Sequence, residues 1–338
     1  MKYIAIDIGS SFIKFILMDL RTHRIVEKSK IPAPRKLENI NPNYFEVSAH
    51  QIYAEVQKKI DEYTEKYSGL KGVLLSTQMH GFIYEDSSTE GKYISWQDSR
   101  SLDKMNEKEK TYMEYLKEMF SYEEMRDCGV YIKPSLGMCN LFQLLDGKAK
   151  EEKSGELFTL GSYIIKKLTG NNICHISSAA PLGLADINKG EWNEEIIKKA
   201  GFESLTFPSI ADSDFETCGS YISNGQKLQI YPDFGDQQIA ILGCISMDND
   251  LVLNIATASQ VSLTTDKFNP GEYETRPYFE GKYINTISNL PSGRNLEVVI
   301  DFIKDVIEKI AKVNINRGAI WEWIKKDFNY NNNNSHWM

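Results

Sequence analysis

Residues 3–19 read YIAIDIGSSFIKFILMD, and this stretch decides the fold. Two arms rich in Ile and Phe, 3–8 and 12–19, flank Gly9-Ser10-Ser11. Arms of that composition favour strands, and a Gly between them permits a tight turn. The turn lets backbone N–H groups approach an anion, while Ser10 and Ser11 add hydroxyl donors and Lys14 adds a point charge. Asp7, closing a buried strand, can hold Mg²⁺ through water. A plain hairpin with a surface lysine is the simpler reading of this motif taken alone. It is not the GxxxxGK[ST] phosphate loop.

Working outward, residues 25–33 read as a third strand, stopped by Pro32 and Pro34. Ser48 with Gln51 forms a capping box that opens a helix, and Ile52, Val56, Ile60 and Tyr63 follow at helical spacing. Residues 72–79 read as a buried strand emptying into a polar loop. Hairpin, strand, helix, strand is an α/β beginning. Residues 102–126 are helical in composition, and 156–168 read as a helix ended by Gly170. A short helix spans 193–200, between Asn193 and Gly201. A strand-rich region covers 227–264. A last helix runs over 295–312, with Leu296, Val299, Ile303, Val306 and Ile310 on one face. The tail from Asn329 to Met338 holds Asn331–Asn334 in a row and is expected to be disordered.

The decisive stretch has an echo. YIAIDIGSS at 3–11 and DLVLNIATA at 250–258 share a shape, so that Asp7-Ile8-Gly9-Ser10 aligns with Asn254-Ile255-Ala256-Thr257. Two such loops suggest two domains facing one nucleotide, although matching apolar strands also arise by chance.

The chain's 338 residues suit two domains, and 41% hydrophobic content suits globular cores. We place a first domain at 1–245 and a second at 246–328, before the tail at 329–338. The net charge is −8, from 39 Lys+Arg against 47 Asp+Glu. No basic stripe occurs, so a nucleic-acid partner is not expected. The apolar runs are far short of the ~20 residues of a membrane span, and Asp7 and Lys14 interrupt any signal-peptide pattern. Cys128, Cys139, Cys174, Cys218 and Cys244 form no CxxC pair, which points to a reducing, cytoplasmic location.

Three further motifs carry polar chemistry. Gln78-Met79-His80-Gly81 follows an apolar strand, where α/β proteins usually bind ligands. Gln78 and His80 can hydrogen-bond a polyol. Trp96-Gln97-Asp98-Ser99-Arg100 offers an aromatic face for a sugar and a carboxylate for its hydroxyls, although Arg100 can equally pair with Asp98 as structure. Gly235-Asp236-Gln237 opens a helix. The helix N-terminus favours an ionised Asp236, with a pKa near the ordinary ~4. A weak base suffices in phosphoryl transfer, because it mainly orients the attacking hydroxyl.

In this order the motifs resemble the FGGY carbohydrate kinases of the actin-like ATPase superfamily. Asp7-x-Gly9-Ser10 with Lys14 looks like the family's first phosphate motif. Gln78–Gly81 and Trp96–Arg100 look like its sugar-site signatures, and Ile176–Trp192 resembles its mid-domain segment. Gly235-Asp236-Gln237 matches the segment with the catalytic Asp, and Asn254–Ala258 resembles the second phosphate motif. The resemblance covers about residues 1–300.

It implies a complete first domain, part of a second, and ATP with Mg²⁺ as cosubstrate and metal. It implies transfer to a primary hydroxyl of a ketose, sedoheptulose-like or xylulose-like, with Asp236 as general base. Gln78, Met79, His80, Trp96, Asp98 and Asp236 would contact sugar. Asp7, Gly9, Ser10, Ser11, Lys14 and Thr257 would contact phosphate, and Asp7 the metal. The chain departs from the family in its short second part, in lacking a GGGxxS-like stretch after residue 300, and in Ala256 and Ser259 where relatives have Gly. These departures raise two expectations: a homo-oligomer or completing chain that covers the second part, or a sugar-binding protein without an adenosine site.

Overall fold

A computed structural model describes residues 1–39, 41–87, 89–105, 109–146, 154–244, 250–255 and 259–327. The expected disordered tail at 329–338 and the expected phosphate contact Thr257 lie outside these residues. The chain divides into two compact units, 1–250 with 263–285 and 251–262 with 286–338. Residues 263–285 thus belong with the first unit, which a single boundary near 246 does not anticipate.

The first unit is built on the expected hairpin. β1 (Lys2–Ile8) and β2 (Phe12–Asp19) pair antiparallel, with Asp7 opposite Lys14 and Ile8 opposite Ile13. β3 (Arg24–Pro32) follows, then β4 (Glu46–Ser48) and α1 (Ala49–Lys66). Ser48 Oγ accepts the Gln51 N–H at 3.2 Å, which caps α1. Ile52, Val56, Ile60 and Tyr63 are buried on one face of α1, as their spacing requires. Each such aliphatic side chain contributes about 1.5–3 kcal/mol by leaving water.

β5 (Leu70–Thr77) runs parallel to both β1 and the strand Gln226–Gly235. The main sheet has the order Gly219–Ser223, Gln226–Gly235, β5, β1, β2, β3. A second sheet takes the order Leu205–Thr206, Gly155–Phe158, β6 (Phe82–Asp86), β7 (Thr89–Ile94), β4. One core lies between the main sheet, α1 and the helix Leu160–Thr169, and another surrounds Phe82, Leu116, Leu141 and Leu184.

Three expectations need correction. β5 stops at Thr77, so Gln78 and Met79 belong to the loop. Residues 102–126 are not one helix but a single turn at Arg100–Leu102 and helices at Tyr112–Met119 and Tyr122–Arg126, each capped by its own box at Thr111 and Ser121. The start of the expected helix at 156–168 is the strand Gly155–Phe158, and the helix begins only at Leu160, after Thr159 as cap. Gly170, at φ +86°, ends it as expected.

The second unit holds the strand Leu251–Ile255 and the helices Gly293–Lys309 and Arg317–Asp327. Asp301 and Arg317 join the two helices by an ion pair. Ile300 and Ile320 are buried, whereas Leu296, Val299, Val306 and Ile310 are exposed, so most of the predicted apolar face of 295–312 is not covered. No helix among the described residues is long and apolar enough to cross a membrane.

Candidate active site

Strand register assembles the site. Asp7 pairs with Ser76 and Ile8 with Thr77, while Phe234 and Gly235 pair with the same two residues from the other side. Three parallel strands therefore end together, with Asp7 and Gly235, the residue before Asp236, on strands two spacings apart, roughly 10 Å. Gln78–Gly81 leaves the strand between them. This gathering at carboxyl ends is where α/β sheets place ligands.

At the hairpin, the Gly9 N–H donates to the Phe12 carbonyl at 3.1 Å. A Cβ on Gly9 would meet that carbonyl at 3.2 Å, so the close turn favours glycine there. Ser10 and Ser11 are exposed. Lys14 does not stand free for an anion: its Nζ lies 2.8 Å from Asp7 Oδ2. Ser76 Oγ donates to Asp7 Oδ1 at 3.4 Å.

The loop after β5 is tense. His80 adopts φ +67°, a conformation costly for a non-glycine residue and common at functional sites. His80 Nδ1 lies 2.9 Å from the Pro181 carbonyl, so Nδ1 bears the proton and Nε2 presents a lone pair. Burial, with Lys133 and Arg276 nearby, pushes His80 down to about 3, and its imidazole is neutral at ordinary pH. Gln78 Oε1 is buried without a partner among the described residues, and so is Tyr93 Oη. Both residues line a cavity of about 210 Å³ together with Gly9, Ser10, Ser95 and Lys36. Buried oxygens left unpaired are costly unless something else supplies the hydrogen bond.

Asp236 is the first residue of the helix Asp236–Gly243, after Gly235 at the cap. Its side chain is exposed, yet surrounding protein crowds it. That partial loss of solvent, reinforced by Asp7, pushes its carboxyl up to about 6, against the opposing helix N–H of Gln237 and the charge of Arg276. The expected value near 4 is thus corrected: the sequence shows the helix start but not the crowding.

The Trp96–Arg100 motif splits in two. Trp96 is 43% exposed and available. Asp98 is 0% exposed. Its Oδ1 accepts from Arg100 N and Nε, both at 2.9 Å, and its Oδ2 from Phe45 N at 2.7 Å and Arg100 Nη2 at 2.8 Å. All four lone-pair positions are filled by protein, so Asp98 has nothing to offer a sugar. The structural alternative holds for this pair. Glu46 completes the cluster, accepting from Arg100 Nη2 at 2.7 Å and Lys92 Nζ at 3.0 Å.

Sequence reading missed the partners of His80. Arg276, from the strand Glu274–Pro277, donates to Gln237 Oε1, donates to Glu274 Oε2 at 2.5 Å, and places Nη2 3.5 Å from His80 Nε2. Lys133 Nζ also binds Glu274. The available signal was a pair of opposite charges at i and i+2 within a short strand, which share one face. Behind Asp236, Asp214 Oδ1 meets His175 Nε2 at 2.9 Å, His175 Nδ1 meets Ser177 Oγ at 2.7 Å, and Ser177 Oγ accepts the Gly235 N–H at 3.1 Å. This chain of bonds steadies the turn into the Asp236 helix.

Among the described residues no group of three or more His, Cys, Asp or Glu could cage a metal. Mg²⁺ asks for less, one or two carboxylates beside substrate phosphates. Asp7, at the end of β1 beside the hairpin turn, fits that requirement as a single carboxylate acting through water.

Residues 2–244 match the model of the N-terminal domain of the FGGY family of carbohydrate kinases. The sedoheptulokinase of Mus musculus is 22% identical over 280 residues, covering 73% of this chain and 55% of its own. The xylulose kinase of Lactococcus lactis is 24% identical over 293 residues, covering 82% of this chain and 56% of its own. A gluconate kinase structure from Lactobacillus acidophilus superimposes with a TM-score of 0.78 at 18% identity, covering 96% of this chain and 65% of that one. The chain spans about half the length of the curated relatives it matches. The fold is that of the actin-like ATPases.

Proposed function

The chain belongs to the FGGY family of carbohydrate kinases, and from that premise we propose that it transfers the γ-phosphoryl group of ATP to a primary hydroxyl of a ketose, sedoheptulose-like or xylulose-like, with Asp236 as general base. The observation that carries this reading is the register that brings Asp7, Gln78–Gly81 and Asp236 to one end of three parallel strands.

The sugar's hydroxyls donate to Gln78 Oε1, which has no partner among the described residues, and Trp96 covers its apolar face, while His80 Nε2 accepts from Arg276. Met79 packs against Gly235, where a Cβ would lie 2.5 Å from its sulfur, and so fixes the loop against the Asp236 turn. Asp236 takes the proton of the primary hydroxyl. That oxygen forms a bond to the γ-phosphorus as the bond to the bridging oxygen breaks and ADP leaves. A carboxylate with a pKa of about 6 is ionised at neutral pH and better matched to this transfer than an ordinary Asp. Gly9, Ser10 and Ser11 offer N–H and hydroxyl donors to phosphate oxygens, and Lys14 is positioned to move from Asp7 to phosphate. Asp7 would hold Mg²⁺ through water, and the ion would offset phosphate charge when bound.

Asp236→Asn tests the reading. Sugar binding by calorimetry should survive, while sugar-dependent ADP release falls by about 10²–10⁴. Retained turnover removes Asp236 from the base role.

A further inference from the structure

The backbone around Asp236 is tied on both sides while its side chain is exposed, an arrangement whose meaning rests on the base role proposed above. On the far side, Gln237 Oε1 accepts from Arg276, and Gln238 Nε2 donates to the Pro277 carbonyl at 3.0 Å. On the near side, the segment His175–Ser178 makes three bonds to Asp233 and Gly235. The His175 N–H donates to Asp233 Oδ1 at 3.1 Å, Ser178 Oγ donates to the Asp233 carbonyl at 2.9 Å, and the Gly235 N–H donates to Ser177 Oγ at 3.1 Å.

The His175 ring fixes Ser177. Its Nδ1 accepts the Ser177 N–H at 3.1 Å, so Nδ1 carries no proton. The proton is on Nε2, which donates to Asp214 Oδ1 at 2.9 Å. The Ser177 hydroxyl, 2.7 Å from Nδ1, therefore donates to it and keeps its lone pairs for the Gly235 N–H. From Gly235 to Asp214 every hydrogen points the same way, and bonds in such a series polarise one another. Phe234 meets the ring edge-on at 4.9 Å between centroids, and Phe279 stacks on it at 6.2 Å. Burial pushes the imidazole down against the pull of Asp214, so it is neutral at ordinary pH. Asp, His and Ser in this order also activate nucleophilic serines. Here Ser177 is fully buried and already bonded to Gly235, so it takes no part in the chemistry itself.

We propose that Ser177, His175 and Asp214 are positioning residues, which act through the Gly235 amide to aim the Asp236 carboxylate at the attacking hydroxyl. Gly235 caps the helix that Asp236 opens, so a rotation of its peptide swings the carboxylate. Gly235 is buried, and without Ser177 its N–H finds no solvent; the turn must shift to satisfy it. A displacement of about 1 Å at a reacting group costs on the order of 10²-fold in rate. Asp214 serves both flanks of Asp236. Through His175 it holds the near side. Its Oδ2 also accepts the Glu280 N–H at 2.9 Å, in the turn after the strand whose Arg276 and Pro277 hold the far side.

Ser177→Ala removes one oxygen behind the turn. In sugar-dependent ADP release by the full chain, kcat should fall about tenfold or more, with calorimetric sugar affinity within about twofold of wild type. The double variant Ser177→Ala/Asp236→Asn should lose no more than Asp236→Asn alone, because Ser177 acts only through the Asp236 carboxylate; a role in stability alone would add its own loss. Asp214→Ala, at a partly exposed position, should show the same pattern, and it decides if Ser177→Ala does not fold. Unchanged kcat, a loss confined to sugar affinity, or losses that multiply with that of Asp236→Asn overturn the inference and leave the base reading standing. Retained turnover in Asp236→Asn, or no ADP release by the wild type with any sugar, overturns the base reading and this inference with it.

Discussion

Two charged clusters in the first unit are finished to different degrees. Around Arg100, both oxygens of Asp98 accept two bonds each, and Glu46 is shared with Lys92. Nothing there awaits a ligand. Around Arg276, its Nε has no acceptor and Gln78 Oε1, on the same loop as His80, has no donor among the described residues, and Asp236 is exposed with a raised pKa. The difference teaches that charge and burial alone do not mark a site. Saturation separates them: a cluster that satisfies itself holds the fold, and one that leaves donors and acceptors over has bonds to offer a ligand.

The largest effect that would break this comparison comes from the closed cluster. Asp98→Ala leaves Arg100 buried with a single carboxylate partner and should cost about 3–5 kcal/mol in urea unfolding of the full chain. A cost below about 1 kcal/mol would mean the cluster is not the closed structural unit described. The open cluster should respond in chemistry. Asp236 accepts a proton only when ionised, so kcat/KM should rise with pH through about 6 and level off above it. Arg276 lowers that pKa, so Arg276→Met should move the midpoint upward. A midpoint that stays in place would separate Arg276 from Asp236. The smallest effect belongs to Trp96. Being 43% exposed, it should change stability by no more than ~0.5 kcal/mol when replaced by Ala, while ketose affinity falls a few-fold. Unchanged affinity would remove Trp96 from the sugar site.

The hairpin, α1 and the Asp236 helix were legible because each rests on local pattern: alternation around Gly9, the i, i+4 spacing of Ile52, Val56 and Ile60, and a Gly before an acidic helix start. Gly155–Phe158 was not, since a short apolar run suits a strand or a helix until its neighbours are known. Asp98 was ambiguous for another reason. A carboxylate two residues from an arginine reads the same whether its oxygens are free or filled, and filling them took Phe45 and Glu46 from some fifty residues upstream. Arg276, Glu274 and Lys133 were invisible because the cluster joins segments more than a hundred residues apart. The raised pKa of Asp236 likewise depends on crowding by chain distant in sequence.

The measurement that tests the account most directly is ADP release from the full chain with Mg²⁺ and ATP, across sedoheptulose, D-xylulose, D-ribulose, L-ribulose and glycerol. The account predicts release that depends on a sugar and is strongest with a ketose. Release indifferent to the sugar, or sugar binding with no release at all, would contradict it.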